Sequence, residues 1–206
     1  MPTAPKGVVW DVGNVIVRWD PRTLYSRIFP DPAQRDDFLS RVCTMGWHLE
    51  TDRGLHPDEN TRRLVERFPE HEAEIRAWWA RWDEMFSGVI EETEAVIHEL
   101  AEHGAPQFGL TNMARESWPQ IRAMSPAFDR LASVVVSGEE GLIKPDPRLY
   151  ERLCERVGMT PGELLFVDDS HHNVEAAEAL GFHVHHFTDP AALRPALVEL
   201  GLIPPA

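Results

Sequence analysis

Short apolar runs alternate with amphipathic stretches along much of this chain, and the runs end at polar residues or lie beside polar loops. Val8-Val9-Trp10 closes on Asp11, Phe108-Gly109-Leu110 on Thr111-Asn112, and Leu164-Leu165-Phe166-Val167 on Asp168-Asp169. Lys144 stands in the loop Gly141-Leu142-Ile143-Lys144-Pro145. From Gly7 to Val17 the sequence is apolar and β-branched, broken only by Asp11, Gly13 and Asn14, which predicts a buried strand followed by a tight excursion.

From about Arg22 to Ser87 the period becomes helical and no strand is predicted. Leu24 and Ile28, then Phe38, Leu39 and Val42, then Leu64, Val65 and Phe68, then Ile75, Trp79, Trp82 and Phe86 recur at helical spacing, punctuated by prolines and glycines. After Gly88 helices are predicted at Glu92 to His103, Arg115 to Met124, Pro147 to Val157, Asn173 to Leu180 and Pro190 to Leu200. Strands are predicted at Gln107 to Leu110, Leu131 to Val136, Leu164 to Val167 and Phe182 to Phe187. Strand and helix in alternation give an α/β fold, a doubly wound parallel (Rossmann-like) sheet, here interrupted by an inserted helical cap domain. The expected division is 1–18 with 88–206 for the core and 19–87 for the cap.

Parallel strands place their carboxyl ends on one edge, where open α/β sheets bind ligands. Asp11, Thr111, Asn112, Lys144, Asp168 and Asp169 would then meet, an inventory suited to metal-assisted phosphoryl transfer. Aspartate and asparagine after strands also cap helices, so Thr111-Asn112 and Asp168-Asp169-Ser170 have that plainer alternative. Paired carboxylates favour a cation over a cap.

Composition narrows the setting. With 206 residues and 43% hydrophobic content the chain can bury a full core. A net charge of -14 provides no basic stripe for nucleic acid. Cys43 and Cys154 are too few for a disulfide framework, and no secretory signal or spanning helix is read from Met1 onward, so the expected setting is cytoplasmic, with no membrane partner. Of 20 basic residues only Lys6, at a start expected to fray, and Lys144 are lysines. A compact ammonium suits a crowded phosphate site better than a planar guanidinium.

Asp11-Val-Gly-Asn-Val, Leu-Thr111-Asn112, Lys144-Pro145 and Phe-Val-Asp168-Asp169-Ser with Asn173 resemble, in order and spacing, the four motifs of the haloacid dehalogenase (HAD) superfamily. Helices inserted after the first strand are similar to the C1 cap of its subfamily I, and the strings from Trp10 to Pro21 and Val136 to Pro147 resemble the branch of small sugar-phosphate phosphatases.

The chemistry that fits these residues is transfer of a phosphoryl group to a carboxylate. An aspartate at a strand end can form an aspartyl phosphate that water hydrolyses, which makes Asp11 the expected nucleophile. An all-oxygen site suits Mg²⁺, with Asp11 and Asp169 as side-chain ligands and, by the resemblance, the Gly13 carbonyl as a third. Asp168 is expected to hold Lys144 or order water, Thr111 and the Asn112 backbone N–H to receive phosphate oxygens, and Lys144 to balance charge.

One position departs from the pattern. Phosphatases of the superfamily usually carry a general acid two residues after the nucleophile, where this chain has Gly13. Such an acid contributes about 10²–10⁴-fold. The expected substrate is a small phosphomonoester, in particular a sugar phosphate such as a sugar 1-phosphate, with a 2-haloacid dehalogenase and an inactive phosphate-binding protein as alternatives. Paired Asp168-Asp169 disfavours a metal-free dehalogenase. Trp19, Asp20, Trp47, His48 and Asp52 are expected to face a sugar, and Asp20, His48 or Asp52 to assist the leaving group. Trp79 and Trp82 are assigned to packing. The histidines are not read as a zinc site, because His183 and His185 alternate with His186 on the last strand. His171 is expected near the site entrance, and the chain to be a monomer or homodimer.

Overall fold

The computed structural model describes residues 4–205, and its first element, β1 (Gly7–Trp10), is a strand buried along its whole length. A tight turn follows, in which Asn14 adopts φ 57 and its side-chain oxygen accepts the Trp19 N–H (3.0 Å), leading to β2 (Val17–Trp19). Five helices come next: α1 (Pro21–Ile28), α2 (Pro32–Arg41), α3 (Met45–Asp52), α4 (Pro57–Arg67) and α5 (Glu72–Ala80). The chain returns through β3 (Phe86–Val89) to α6 (Glu91–Glu102), β4 (Gln107–Thr111), α7 (Trp118–Arg122), β5 (Ser133–Val136) and α8 (Ser137–Glu140). It finishes with α9 (Pro147–Val157), β6 (Leu164–Asp168), α10 (His171–Ala179), β7 (His183–His186) and α11 (Pro190–Glu199). Three of the first four helices open on an aspartate or threonine cap, and α1, α2 and α4 have proline in the first turn, where its missing N–H costs nothing.

The main sheet runs β5-β4-β1-β6-β7, parallel throughout. From β1 the chain first builds outward through β4 to β5, then crosses to β6 and β7 on the other side, so the order reverses at β1. Alternation divides the strand residues between two cores. Val8, Trp10, Leu165 and Val167 pack with Ile97, Leu100, Leu193 and Leu197 on one face. Val9, Phe108, Leu110 and Phe166 meet Leu149, Tyr150 and Leu153 on the other. A third cluster, including Leu24, Tyr25, Phe38, Leu64, Ile75 and Trp78, belongs to the inserted helices and β3 approaches. The architecture is an α/β doubly wound sheet with a helical cap.

Three expectations need correction. The run from Gly7 to Val17 forms the expected strand and tight turn, but Val17–Trp19 goes on to pair antiparallel with Phe86–Val89, where no strand is predicted. That ribbon is closed by residues far apart in sequence, which periodicity cannot register. In α5 the fully buried indole is Trp78, while Trp79 is half-buried, so the inward stripe is Ile75, Trp78 and Trp82. Lys6 is anchored, its N–H donating to the Glu163 carbonyl (2.7 Å) and its ammonium pairing with the Glu163 carboxylate (2.6 Å). Among the described residues no helix is long and apolar enough to cross a membrane.

Gln107 stitches β4 to its neighbours: its side-chain oxygen accepts Trp10 Nε1–H (3.0 Å) and its amide donates to the Ile97 carbonyl (2.9 Å), all within the core. Gln107→Leu strands the Trp10 indole N–H away from water, and urea denaturation is expected to show a loss of about 1–3 kcal/mol.

Candidate active site

Because β4, β1 and β6 are adjacent and parallel, their last residues fall side by side. Asp11 follows β1, its N–H donating to the Val167 carbonyl (2.9 Å), so the β1–β6 pairing continues one residue and fixes its carboxylate over the sheet edge. Thr111 ends β4 and Asp168 ends β6 on either side of it. Lys144 enters from the loop after α8. Its ammonium lies 2.9 Å from Asp11 Oδ1 and 2.7 Å from Asp168 Oδ2, and it donates to the Leu110 carbonyl at 2.8 Å. All three donor directions of the ammonium are thereby used.

The supports of this arrangement are equally specific. Asn112 clamps the Lys144 backbone from both sides, accepting its N–H (2.7 Å) and donating to its carbonyl (3.1 Å). That commits both ends of the Asn112 side chain to holding Lys144. Asp168 accepts from Asn173 Nδ2 (3.0 and 3.1 Å) and from the Ser170 N–H (2.8 Å). Asn173 is in turn held through its carbonyl by the Tyr150 hydroxyl (3.0 Å). The capping alternative therefore fails: Ser170 precedes α10 with no side-chain cap bond, and the turn after Thr111-Asn112 starts from Ala114.

Carboxylate oxygens of Asp11, Asp168 and Asp169 lie within 4.8 Å of one another, and the Asn14 side chain hydrogen-bonds Asp169. Burial pushes the Asp11 carboxyl up to about 7, against the pull of Lys144 and with Asp168 and Asp169 adding to the rise. Asp169 is raised by burial and by Asp168. Burial alone would depress Lys144, but Asp11 and Asp168 outweigh it and hold the ammonium above the ordinary lysine value. Three close carboxylates against one ammonium leave an excess of buried negative charge, which an oxygen-liganded divalent cation matches.

Above this floor is a cavity of about 390 Å³. Its lower part is lined by Asp11, Gly13, Thr111, Asn112, Lys144 and Asp169, the residues singled out by the sequence. Asp168 is wholly buried behind Lys144. Its upper part is contributed by the helical insertion and the ribbon: Trp19, Met45, Leu49, Trp82 and Phe86, with His48 and Asp52.

The cap residues divide. Trp19, His48 and Asp52 line the cavity as expected, but Asp20 and Trp47 do not. Asp20 caps α1 by accepting the Arg22 N–H (2.8 Å), and Trp47 donates its indole N–H to the Asn60 carbonyl (3.2 Å) over a separate groove. Trp82, assigned to packing, does pack but also faces the cavity, whereas Trp79 stacks behind it at 4.9 Å. His172 lines the cavity and its neighbour His171 does not, and both pair with Glu175 (3.6 and 3.3 Å). Met45, Leu49 and Phe86 were missed as lining residues, because an apolar residue facing a cavity has the same sequence signature as one facing a core.

His48 sits among Trp19, Trp78, Trp79 and Trp82 at ring-centroid distances of 5.3–5.7 Å, and burial pulls its pKa down to about 3. Its Nε2 is 3.6 Å from Asp52 Oδ2. Asp52 is pushed up to about 7 by burial, opposed by the Ala114 N–H that it accepts and by Arg53. The Ser137 hydroxyl joins cap to core, donating to the Asp52 carbonyl (2.7 Å) while accepting the Met113 N–H (2.9 Å).

Known proteins agree with this architecture. The chain is similar over 193 residues, 93% of its length and 94% of the relative's, to a sesquiterpene phosphatase of Aspergillus oryzae at 27% identity. It is 26% identical over 190 residues to a D-ribitol-5-phosphate phosphatase of Bacteroides thetaiotaomicron, covering 86% of this chain and 89% of that one. A HAD-family enzyme of Bacteroides thetaiotaomicron, solved as a magnesium complex, superposes with a TM-score of 0.72 at 18% identity, over 93% of this chain and 99% of the other. The family model of haloacid dehalogenase-like hydrolases matches residues 5–181, so the chain is a hydrolase that belongs to that family.

Proposed function

We propose that this hydrolase is a Mg²⁺-dependent phosphatase that cleaves a small phosphomonoester through an aspartyl phosphate on Asp11. The observation that carries the reading is the buried Lys144 bridge between Asp11 and Asp168, with Asp169 beside it (2.9 and 2.7 Å). In this reading Asp11 attacks phosphorus in line, and Lys144 fixes the carboxylate and offsets its charge. The Thr111 hydroxyl and Asn112 backbone N–H take phosphate oxygens. Asp11, Asp169 and the Gly13 carbonyl would hold the Mg²⁺, which when bound screens the carboxylate from the anionic phosphate. Asp168, saturated by Lys144, Asn173 and Ser170, acts by holding Lys144 in place. The cap is taken as residues 19–87, with the β2–β3 ribbon as its stem.

The cavity wall favours an apolar organic group over a sugar. Trp19, Met45, Leu49, Trp82 and Phe86 form it, and the indole nitrogens of Trp19 and Trp82 are shut away from solvent without a partner, so the rings present carbon. His48 and Asp52 are the only polar side chains among those cap residues. Similarity to a protein named for a sesquiterpene phosphate supports the same direction, while similarity to a ribitol-phosphate phosphatase supports the sugar expectation. The wall supports a prenyl-like or aryl phosphate. A 2-haloacid is disfavoured because Lys144 is the only lysine or arginine lining the cavity and is committed to two carboxylates, leaving none for the acid group of the substrate.

Phosphate release with Mg²⁺ is expected to vanish in EDTA, and Asp11→Asn is expected to lower it by on the order of 10⁴–10⁶-fold. Chloride release from 2-chloropropionate in place of phosphate release would replace this reading with the dehalogenase.

On a substrate panel, geranyl and phenyl phosphate are expected to exceed glucose 1-phosphate in kcat/KM. Met45→Glu, at a half-exposed cavity position, is expected to raise KM for the apolar members by about tenfold or more while sparing kcat.

A further inference from the structure

The phosphatase reading leaves one proton unassigned. When the Asp11–phosphorus bond forms, the phosphorus–oxygen ester bond breaks, and an alkyl or prenyl oxygen leaves poorly as an alkoxide. Gly13 provides no acid, and a side chain begun there would meet no atom within 4 Å outside its chain neighbours.

The other titratable cavity residues can be taken in turn. Asp11 is the nucleophile, Lys144 is bound to two carboxylates, and Asp169 is paired with the metal role. His172 is exposed at the rim and turned toward Glu175 (3.6 Å). His48 is enclosed by indoles and stays uncharged.

Asp52 differs from all of these. It is 2% exposed, at the end of α3 on the cap side of the same cavity. The Ala114 N–H, three residues beyond Thr111, anchors its carboxyl to the loop that leaves the expected phosphate cradle. Its Oδ1 is buried with no hydrogen-bond partner, and its Oδ2 lies 3.6 Å from the neutral His48 imidazole. A carboxylate left ionised and half-satisfied in such a place is costly, whereas a carboxylic acid with a proton to give is at home there. Burial holds it in that form up to about pH 7.

We propose that Asp52 is the general acid of the reaction, donating its proton to the leaving-group oxygen from the cap in place of the acid that Gly13 lacks. This rests on the phosphatase reading above. As the ester bond breaks, the Asp52 proton passes to the departing oxygen, giving a neutral alcohol and an Asp52 carboxylate. That carboxylate then takes a proton from the water that attacks phosphorus, the Asp11–phosphorus bond breaks, and inorganic phosphate leaves with Asp52 protonated again. Because the donor is on the cap, the acid is present only when cap and core are together.

The test is leaving-group dependence with Mg²⁺, measured for wild type and Asp52→Asn on aryl phosphates of graded phenol acidity and on hexyl phosphate. Wild type is expected to show a shallow dependence of kcat/KM on leaving-group acidity. Asp52→Asn is expected to lose about 10²–10⁴-fold on phenyl and hexyl phosphate, and almost nothing on dinitrophenyl phosphate, whose phenolate leaves unaided. Equal loss across the series would assign Asp52 to architecture alone and overturn the proposal. A steep dependence in wild type overturns it without any variant. Wild type that turns over no member removes the phosphatase reading itself, and the proposal with it.

Discussion

An ammonium buried between two carboxylates governs how this molecule is put together. Lys144 is 3% exposed and Asp168 fully buried, so each is the other's neighbouring counter-charge, and Asp11 lies 2.9 Å from the same ammonium. Such a group is weak evidence of stability, since desolvation consumes much of the Coulomb gain. Its value is positional. Removing any partner leaves an uncompensated charge, so the ends of β1 and β6 and the loop carrying Lys144 must sit in one arrangement. Asn112 and Asn173 reinforce that arrangement with bonds that lead nowhere else in the fold.

This constraint explains why the floor of the site was legible from sequence. A parallel strand buried on both faces is an apolar run, so a polar residue at its end is conspicuous, and three such ends with one lysine-bearing loop, in order, are enough to find Asp11, Thr111, Asn112, Lys144, Asp168 and Asp169. Gly13 was legible for the opposite reason, as an expected carboxylate that is missing. The ceiling was much less so. Trp47 and His48 are adjacent on α3, yet one donates to Asn60 and the other faces the substrate space; helix periodicity orients a residue toward or away from a core without saying which of two surfaces it meets. The β2–β3 ribbon was invisible for a related cause: its strands are brief, and their pairing spans the whole insertion.

Floor and ceiling also solve different electrostatic problems. Below, charge is concentrated and matched by specific partners. Above, nearly everything is carbon; burial keeps His48 uncharged and pushes the Asp52 carboxyl up to about 7. A phosphomonoester has the same polarity along its length, a dense anion at one end and a weakly interacting group at the other. The cavity has the same division from floor to ceiling.

The Ser137 hydroxyl carries a mechanical consequence. It has one proton, given to the Asp52 carbonyl at 2.7 Å, and a second acceptor, the Met113 carbonyl, 3.3 Å away on the core. If the insertion swings off, a rotation about a single side-chain bond redirects that proton, so release strands no donor on the core side. A latch of this kind closes with good geometry yet opens at little enthalpic cost, which makes it a reversible fastener.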